Sequence, residues 1–441
     1  GGFGEGCNVT KEKENKSKKR HFISDINFRD KYEFISILGR GGFGEVRLYK
    51  LKEDSKALYA IKTIHKNRFK EKSFKQIYKE VEVLSKLDHP NIVKYYESYE
   101  ESAYIHLVME YVSGYNLFRV ISTKEQFTEY DVAEIIYNLM LAINYVHTKG
   151  LVHRDIKPEN ILFAQQGVYS SLRLIDFGLA IETYSTNRNK AGTARFIAPE
   201  MIQGLFSYKT DAWSIGVMMY MMVTGRYPFE GDNIFNKIEA GEYDKNRLKE
   251  EDVSPELIDL ITSLLVVNPN NRLGVSDALD HDFFKALDNR KNRVEQRVLD
   301  RIEKFNEQSC FHKEVFFYLA RLTEDKQLAE LKKAFKEFDI NNEGTIGYDE
   351  FKRIMKKYNS TENSKLKKMW ANLDFHRTGQ ITYTEFVAAT MENFKFMREE
   401  QLYTVFNEFD TDNSGYITKS NFYEALKKSG ETMRIDRREV E

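Results

Sequence analysis

Three kinds of hydrophobic pattern follow one another along this chain. Between Tyr32 and Lys62 the apolar residues come in short runs, and Tyr32–Leu38, Val46–Lys50 and Leu58–Lys62 each predict a strand. The stretch KEVEVLSKL then puts Val81, Leu84 and Leu87 on one face, which predicts a helix carrying Glu80. Ala212–Val223 is apolar on all sides, interrupted by Ser214 and Gly216, and too short to cross a bilayer, so it predicts a buried core helix. Past Phe284 the composition shifts to charged helix. There Val294, Val298, Ile302 and Phe305 share a face flanked by Arg293, Arg297, Arg301 and Lys304, and Leu331, Phe335 and Phe338 open a second amphipathic series.

Repeats surface in this second half. Asp339, Asp374 and Asp410 stand 35 and 36 residues apart, and each opens a segment with glycine at the sixth place (Gly344, Gly379, Gly415) and isoleucine at the eighth (Ile346, Ile381, Ile417). That is the spacing of helix–loop–helix calcium units, which take oxygen ligands at positions 1, 3 and 5, a carbonyl at 7 and a bidentate carboxylate at 12. The first loop offers Asp339, Asn341, Glu343, the Thr345 carbonyl and Glu350, a competent set. The second offers Asp374, His376, Thr378, the Gln380 carbonyl and Glu385; imidazole is a poor calcium ligand, so weaker binding is expected. The third offers Asp410, Asp412, Ser414, the Tyr416 carbonyl and Asn421, and losing the bidentate glutamate should leave it weak, magnesium-like or structural. Such units pair, and three loops with the helical-looking MRIDRREVE after them leave the expectation of a fourth loop that is truncated or lost.

The motif GGFGE occurs twice, at Gly1–Glu5 and Gly41–Glu45, but only the second completes G-x-G-x-x-G, through Gly39, Gly41 and Gly44. The pattern alone is weak; its setting is not. Strand, glycine loop, strand, lysine-bearing strand and helical glutamate form the order found in protein kinases rather than the strand–loop–helix order of a dinucleotide fold. Further motifs arrive in kinase order: His153-Arg154-Asp155-Ile156-Lys157-Pro158-Glu159-Asn160, then Asp176-Phe177-Gly178, then Ala198-Pro199-Glu200.

What the kinase resemblance implies can be stated residue by residue. Lys62 holds the ATP phosphates and Glu80 orients it; Asp176 and Asn160 bind magnesium; Asp155 takes or orients the substrate hydroxyl proton; Lys157 steadies the transferring group. Lys157, with Thr193 in AGTARF, is the serine/threonine type. Leu38, Val46, Ala60, Met109, Glu110 and Val112 would line the adenine site, with Met109 as gatekeeper restricting bulky inhibitors. Asp211 and Trp213 would anchor the helix below the catalytic loop, and Arg272 would pair with Glu200. Arg154 could receive a phosphate placed on Thr183, Tyr184, Ser185 or Thr186. One departure is Gly114-Tyr115-Asn116-Leu117-Phe118, where families of this type carry G-G-E-L-F. With that acid absent and Glu159 retained, a modest preference for basic protein substrates is expected.

A kinase followed by calcium loops in one chain resembles the calcium-dependent protein kinases of plants and protists. The fold class implied is α+β, a bilobal kinase fold followed by an all-α EF-hand domain. The expected domains are a flexible extension at 1–31, the kinase at 32–284, an autoinhibitory junction helix at 285–329 and a calmodulin-like domain at 330–441. ATP, Mg2+ and Ca2+ are the implied cofactors. In such a chain the junction helix blocks the substrate site until the loop domain, opened by calcium, captures it. Turning a 1:99 equilibrium into 99:1 takes about 5.5 kcal/mol. One site binding only the active state supplies about 1.4 kcal/mol with calcium tenfold above its Kd. One sound loop therefore does not suffice: either the weak loops bind, or activation is partial above a basal rate. The alternative is a constitutive kinase with a structural EF-hand docking module.

Bulk properties narrow the rest. A net charge of −1 over 441 residues gives no field to recruit nucleic acid or an acidic membrane. Two cysteines, Cys7 and Cys310, exclude a disulfide scaffold and fit an intracellular, reducing setting. Lys11–Arg20 reads as a solvated tail, with a membrane or partner patch as the alternative. Glu5 stands where a myristoylation signal needs Ser or Thr.

Overall fold

Strands form first because the sequence between Tyr32 and Glu110 is rich in β-branched and aromatic residues broken by glycine and charged turns. In the computed structural model they are β1 (Tyr32–Gly41), β2 (Gly44–Leu51), β3 (Leu58–His65), β4 (Tyr95–Glu100) and β5 (Tyr104–Glu110). They make one antiparallel sheet in the order β1-β2-β3-β5-β4, which leaves β4 on an edge. The structure describes residues 23, 27–41, 44–68, 71–124, 127–182, 193–251, 253–288, 294–323, 325–358, 362–391, 399–412 and 414–428. Both the Gly1–Glu5 motif and the Lys11–Arg20 run lie outside them, as do Arg293, Thr183–Thr186 and the C-terminal MRIDRREVE.

The expected flexible extension ends earlier than residue 31. Asn27 caps a short helix, Phe28–Lys31, by accepting from Arg29 N. Phe28 is buried and stacks on His106 at 4.2 Å, so this turn belongs to the sheet's core.

Helix α1 (Glu71–Ser85) follows β3 and delivers Glu80. Below the sheet lie α2 (Glu129–Thr148) and α3 (Tyr208–Thr224), each opened by a capping box, Thr128 with Asp131 and Ser207 with Thr210. Both helices are buried along most of their length, as their all-round apolarity requires. Gly216 in α3 could not be larger, because a Cβ there would lie 2.8 Å from Leu264 Cβ.

After the kinase lobe the chain is helical. Where one junction helix was expected there are two, α4 (Gln296–Phe305) and α5 (Cys310–Leu322), separated where Ser309 caps the second. Helix α6 (Asp325–Phe338) starts before residue 330, so the calcium-loop domain takes the end of the expected junction. Then come α7 (Tyr348–Tyr358), α8 (Asn363–Leu373), α9 (Tyr383–Thr390), α10 (Glu399–Phe409) and α11 (Lys419–Lys428). The apolar face read from Val294, Val298, Ile302 and Phe305 is buried in one core with Phe335, Phe338, Phe351 and Phe386 of this domain. Helix α5 is gripped twice, since Phe316 and Phe317 enter that core while Leu319 joins Val405, Phe409 and Phe422 around the third loop.

A buried ion pair ties the large lobe together. Both guanidinium nitrogens of Arg272 donate to Glu200, at 2.8 and 2.9 Å, and the Arg272 side chain is 0% exposed. Removing one partner strands the other charge in a dry interior. Arg272→Ala is expected to lower the stability of the large lobe by about 3–5 kcal/mol, read as an earlier urea transition by circular dichroism.

Candidate active site and calcium loops

Lys62 reaches the phosphate site from the middle of β3, where a lysine is costly unless it is paired. Its Nζ lies 2.6 Å from Glu80 Oε1 and 3.3 Å from Asp176 Oδ1. Burial pulls the Lys62 ammonium down, but the charges of Glu80 and Asp176 more than reverse this and hold its pKa above the ordinary value. Asp176 has φ +61, a left-handed conformation unusual for a non-glycine residue and typical of strained functional positions. Phe177 is buried edge-on to His153, at 4.9 Å, which turns Asp176 toward Lys62.

The adenine side is an apolar lip. Leu38 is exposed, Val46, Ala60 and Met109 are half-buried, and Val112 is buried. Glu110 turns its carboxylate away, both oxygens lying 3.1 Å from Arg173 Nε, so what it offers a base is backbone. Gly39 and Gly41 lie at the end of β1, and Gly41 pairs with Gly44 across the mouth of the loop. Gly44 is required by space: a Cβ would sit 2.3 Å from the Thr63 carbonyl oxygen.

Asp155 is held from three sides. Thr193 Oγ1 donates to Asp155 Oδ1 at 3.0 Å, Lys157 Nζ lies 2.7 Å from Asp155 Oδ2, and Asn160 Nδ2 donates to the Asp155 carbonyl at 2.8 Å. Lys157 also donates to Thr193 at 3.0 Å, so these three residues form a closed ring. Asp211, at the start of α3, accepts the backbone N–H of His153 and Arg154, as expected of an anchor below this loop. Trp213 stacks on Phe229 and beneath the Arg272 guanidinium. Arg154 is buried, donating from Nε to the Leu179 carbonyl. Glu159 is exposed at the rim.

The three loops differ in what they offer calcium. In all of them the sixth-place glycine takes positive φ, and loops 1 and 2 are joined by reciprocal Ile346–Ile381 hydrogen bonds of 2.9 Å. Loop 1 presents oxygens alone. Burial, with the charges of Glu350 and Glu343, pushes the Asp339 carboxyl up to about 7, which is the crowding that a divalent cation relieves. Among the described residues no three His, Cys, Asp or Glu side chains gather closely enough to hold a metal, so this seat needs the Asn341 amide and Thr345 carbonyl oxygens as well. In loop 3 Asn421 Oδ1 accepts from Thr418 N, while its Nδ2 donates to Thr411 Oγ1 at 3.1 Å. An N–H stands where the second carboxylate oxygen is needed. Loop 2 does not fit calcium either: His376 at position 3 lies 2.8 Å, through Nδ1, from Glu385 Oε1 at position 12.

The loop domain docks on the kinase away from the phosphate site. Asn342 of loop 1 accepts from Asn144 of α2 at 2.8 Å, and Gly344 lies against Tyr145, to which a Cβ would come within 2.5 Å. Asp88, just after α1, accepts both the N–H and the hydroxyl of Thr384 in the first turn of α9, at 2.9 and 2.8 Å. The C-terminal end of α5 meets the start of β4, where Lys94 reaches the Ala320 and Thr323 carbonyls.

Sequence reading missed Asp88, Arg173 and His147, whose Nε2 lies 2.8 Å from Asp211 Oδ2. Their partners are far away in the chain, so no local spacing marks them. Asn116 could have been read: it caps the helix Leu117–Thr123 by accepting from Arg119 N, an ordinary N-cap signal. Asp155→Asn is expected to lower kcat about 10²–10⁴-fold with the KM for ATP unchanged, measured by steady-state phosphotransfer to a peptide.

Comparison with known proteins agrees with this geometry. Residues 32–284 match the protein kinase domain, residues 330–358 the EF hand domain, and residues 363–427 the EF-hand domain pair. The chain is 34% identical over 440 residues to calcium-dependent protein kinase 4 of Plasmodium berghei, covering 93% of this chain and 83% of that protein. It is 32% identical over 411 residues to calcium-dependent protein kinase 34 of Arabidopsis thaliana, covering 91% and 78%. With its phosphotransfer residues assembled and its helix–loop–helix repeats following in the same polypeptide, the chain belongs to the calcium-dependent protein kinase family of serine/threonine kinases.

Proposed function

We propose that this chain phosphorylates serine and threonine hydroxyls of proteins from ATP, and that calcium governs it by deciding where α4 and α5 lie. The observation that carries the proposal is the burial of both helices in the calcium-loop cores. Helices held there are unavailable to block a substrate, so this arrangement corresponds to the released kinase. In the resting arrangement the same apolar face, with its basic flank Arg297, Arg301 and Lys304, occupies the substrate cleft.

In the released state Asp155 accepts the hydroxyl proton, with Thr193 and Lys157 fixing its orientation. Lys62, set by Glu80, neutralises the phosphates. Asp176 and Asn160 would hold magnesium, which would supply the charge neutralisation that phosphoryl transfer requires. Substrate preference is modestly basic, resting on exposed Glu159. It is weakened because Asn116 caps a helix and the Arg119 guanidinium lies 3.7 Å over Tyr115, leaving positive charge nearby.

The donor sets favour partial rather than all-or-none control. Phosphorylation of a basic peptide at fixed magnesium-ATP should rise sigmoidally with micromolar free calcium, above a measurable rate in chelator. Glu350→Gln should remove most of the stimulation, on the order of tenfold, and spare the chelator rate. Flat activity across the titration would instead make the loops a structural docking module.

A further inference from the structure

The second calcium loop has the backbone of a calcium-binding loop without its chemistry. Arg377 at position 4 has φ +55 and Gly379 has φ +87, matching Asn342 and Gly344 of loop 1 at +57 and +76. Asp374 accepts from Thr378 N at 2.8 Å and Gly379 N at 3.0 Å, as Asp339 does from Glu343 N and Gly344 N in loop 1. The turn is therefore fully wound.

Its interior is occupied by protein. The position-12 carboxylate of Glu385 is buried; its Oε2 accepts from Thr382 N at 2.8 Å, and its Oε1 from His376 N at 3.0 Å. Glu350 makes the same two backbone bonds with Gly347 N and Asn341 N in loop 1, so the difference between the loops lies in the side chains. Glu385 Oε1 also lies 2.8 Å from His376 Nδ1, and since a carboxylate can only accept, Nδ1 carries the hydrogen. The Thr378 hydroxyl donates to the position-7 carbonyl of Gln380 at 2.7 Å. Four of the five places that would face an ion are thus satisfied by one another. The imidazole is mostly buried and meets Phe317 of α5 edge-on at 4.5 Å.

We propose that His376 replaces calcium in the second loop: its N–H joins positions 3 and 12 as the ion would, so this loop takes its wound shape without calcium. A charge-assisted hydrogen bond in a buried setting is strong enough for that role. The consequence reaches beyond the loop. Its far side pairs with loop 1 through Ile381, the first turn of its exit helix α9 is bonded to Asp88 of the kinase through Thr384, and its histidine meets Phe317 of the captured junction. The second hand is a permanent seat for α5, against which calcium acts through the other loops. This rests on reading the loops as the calcium switch proposed above, and it assigns one of them a role that needs no calcium.

The test is the calcium stoichiometry of the full chain, by equilibrium dialysis in millimolar magnesium, together with hydrogen exchange at Gly379–Ile381 in chelator. Glu385→Gln is expected to leave the number of bound calcium ions unchanged, Glu350→Gln to lower it by one, and His376→Asp to raise it by one. In the unmodified protein, loop 2 amides should exchange within a few-fold of the same rate with and without calcium. Loss of one calcium in Glu385→Gln, or loop 2 protection that falls at least a hundredfold in chelator, overturns the proposal. An unmodified chain that bound no calcium yet kept its loop 2 protection would remove the switch and leave the histidine clasp standing.

Discussion

A buried cation must be paired, and the pairing of Lys62 is what the rest of this molecule is arranged around. The ammonium is tolerable within the sheet only while Glu80 and Asp176 both face it. Glu80 comes from a helix and Asp176 from a strained loop at the large lobe, so one ion cluster requires three separate elements to be in place together. Whatever shifts α1 or the Asp176–Gly178 turn leaves a charge stranded. That makes the phosphate site switchable from a distance.

The docked loop domain touches the small lobe close to these elements. Asp88 follows α1 by a few residues, and its carboxylate accepts from Thr384 in the first turn of α9. The C-terminal end of α5 meets the start of the edge strand β4, where the Arg321 guanidinium donates to the Tyr95 and Tyr96 carbonyls and Lys94 to those of Ala320 and Thr323. Positions of α1 and of the calcium loops are thus linked through short polar contacts between well-packed bodies. Rigid packing on either side lets a few hydrogen bonds carry the connection.

The three loops divide the work by their donor chemistry. An all-oxygen set with a carboxyl crowded up to about 7 has a reason to take a divalent cation. The loop that ends on Asn421 keeps the oxygen that caps α11 and gives up the one that would close on an ion. The loop built around His376 satisfies its glutamate internally. Shared backbone winding, enforced by the sixth-place glycines, conceals these differences.

Much of this was legible in the sequence, because the information is local. The strand carrying Lys62, though it runs on to His65, the helix carrying Glu80, the glycines at Gly39, Gly41 and Gly44, and the period of Asp339, Asp374 and Asp410 all follow from spacing and side-chain type. The sequence alone also determined that Asn421 and His376 depart from calcium's needs, since ligand chemistry is a property of the residue. Only the tertiary structure decided that Phe28 belongs to the kinase core, that the junction is two helices, and that Asp88 meets Thr384. It also decided that the His376 ring turns inward onto Glu385 instead of outward. These outcomes depend on which distant surfaces become dry together, and burial of that kind leaves no periodic mark along the chain.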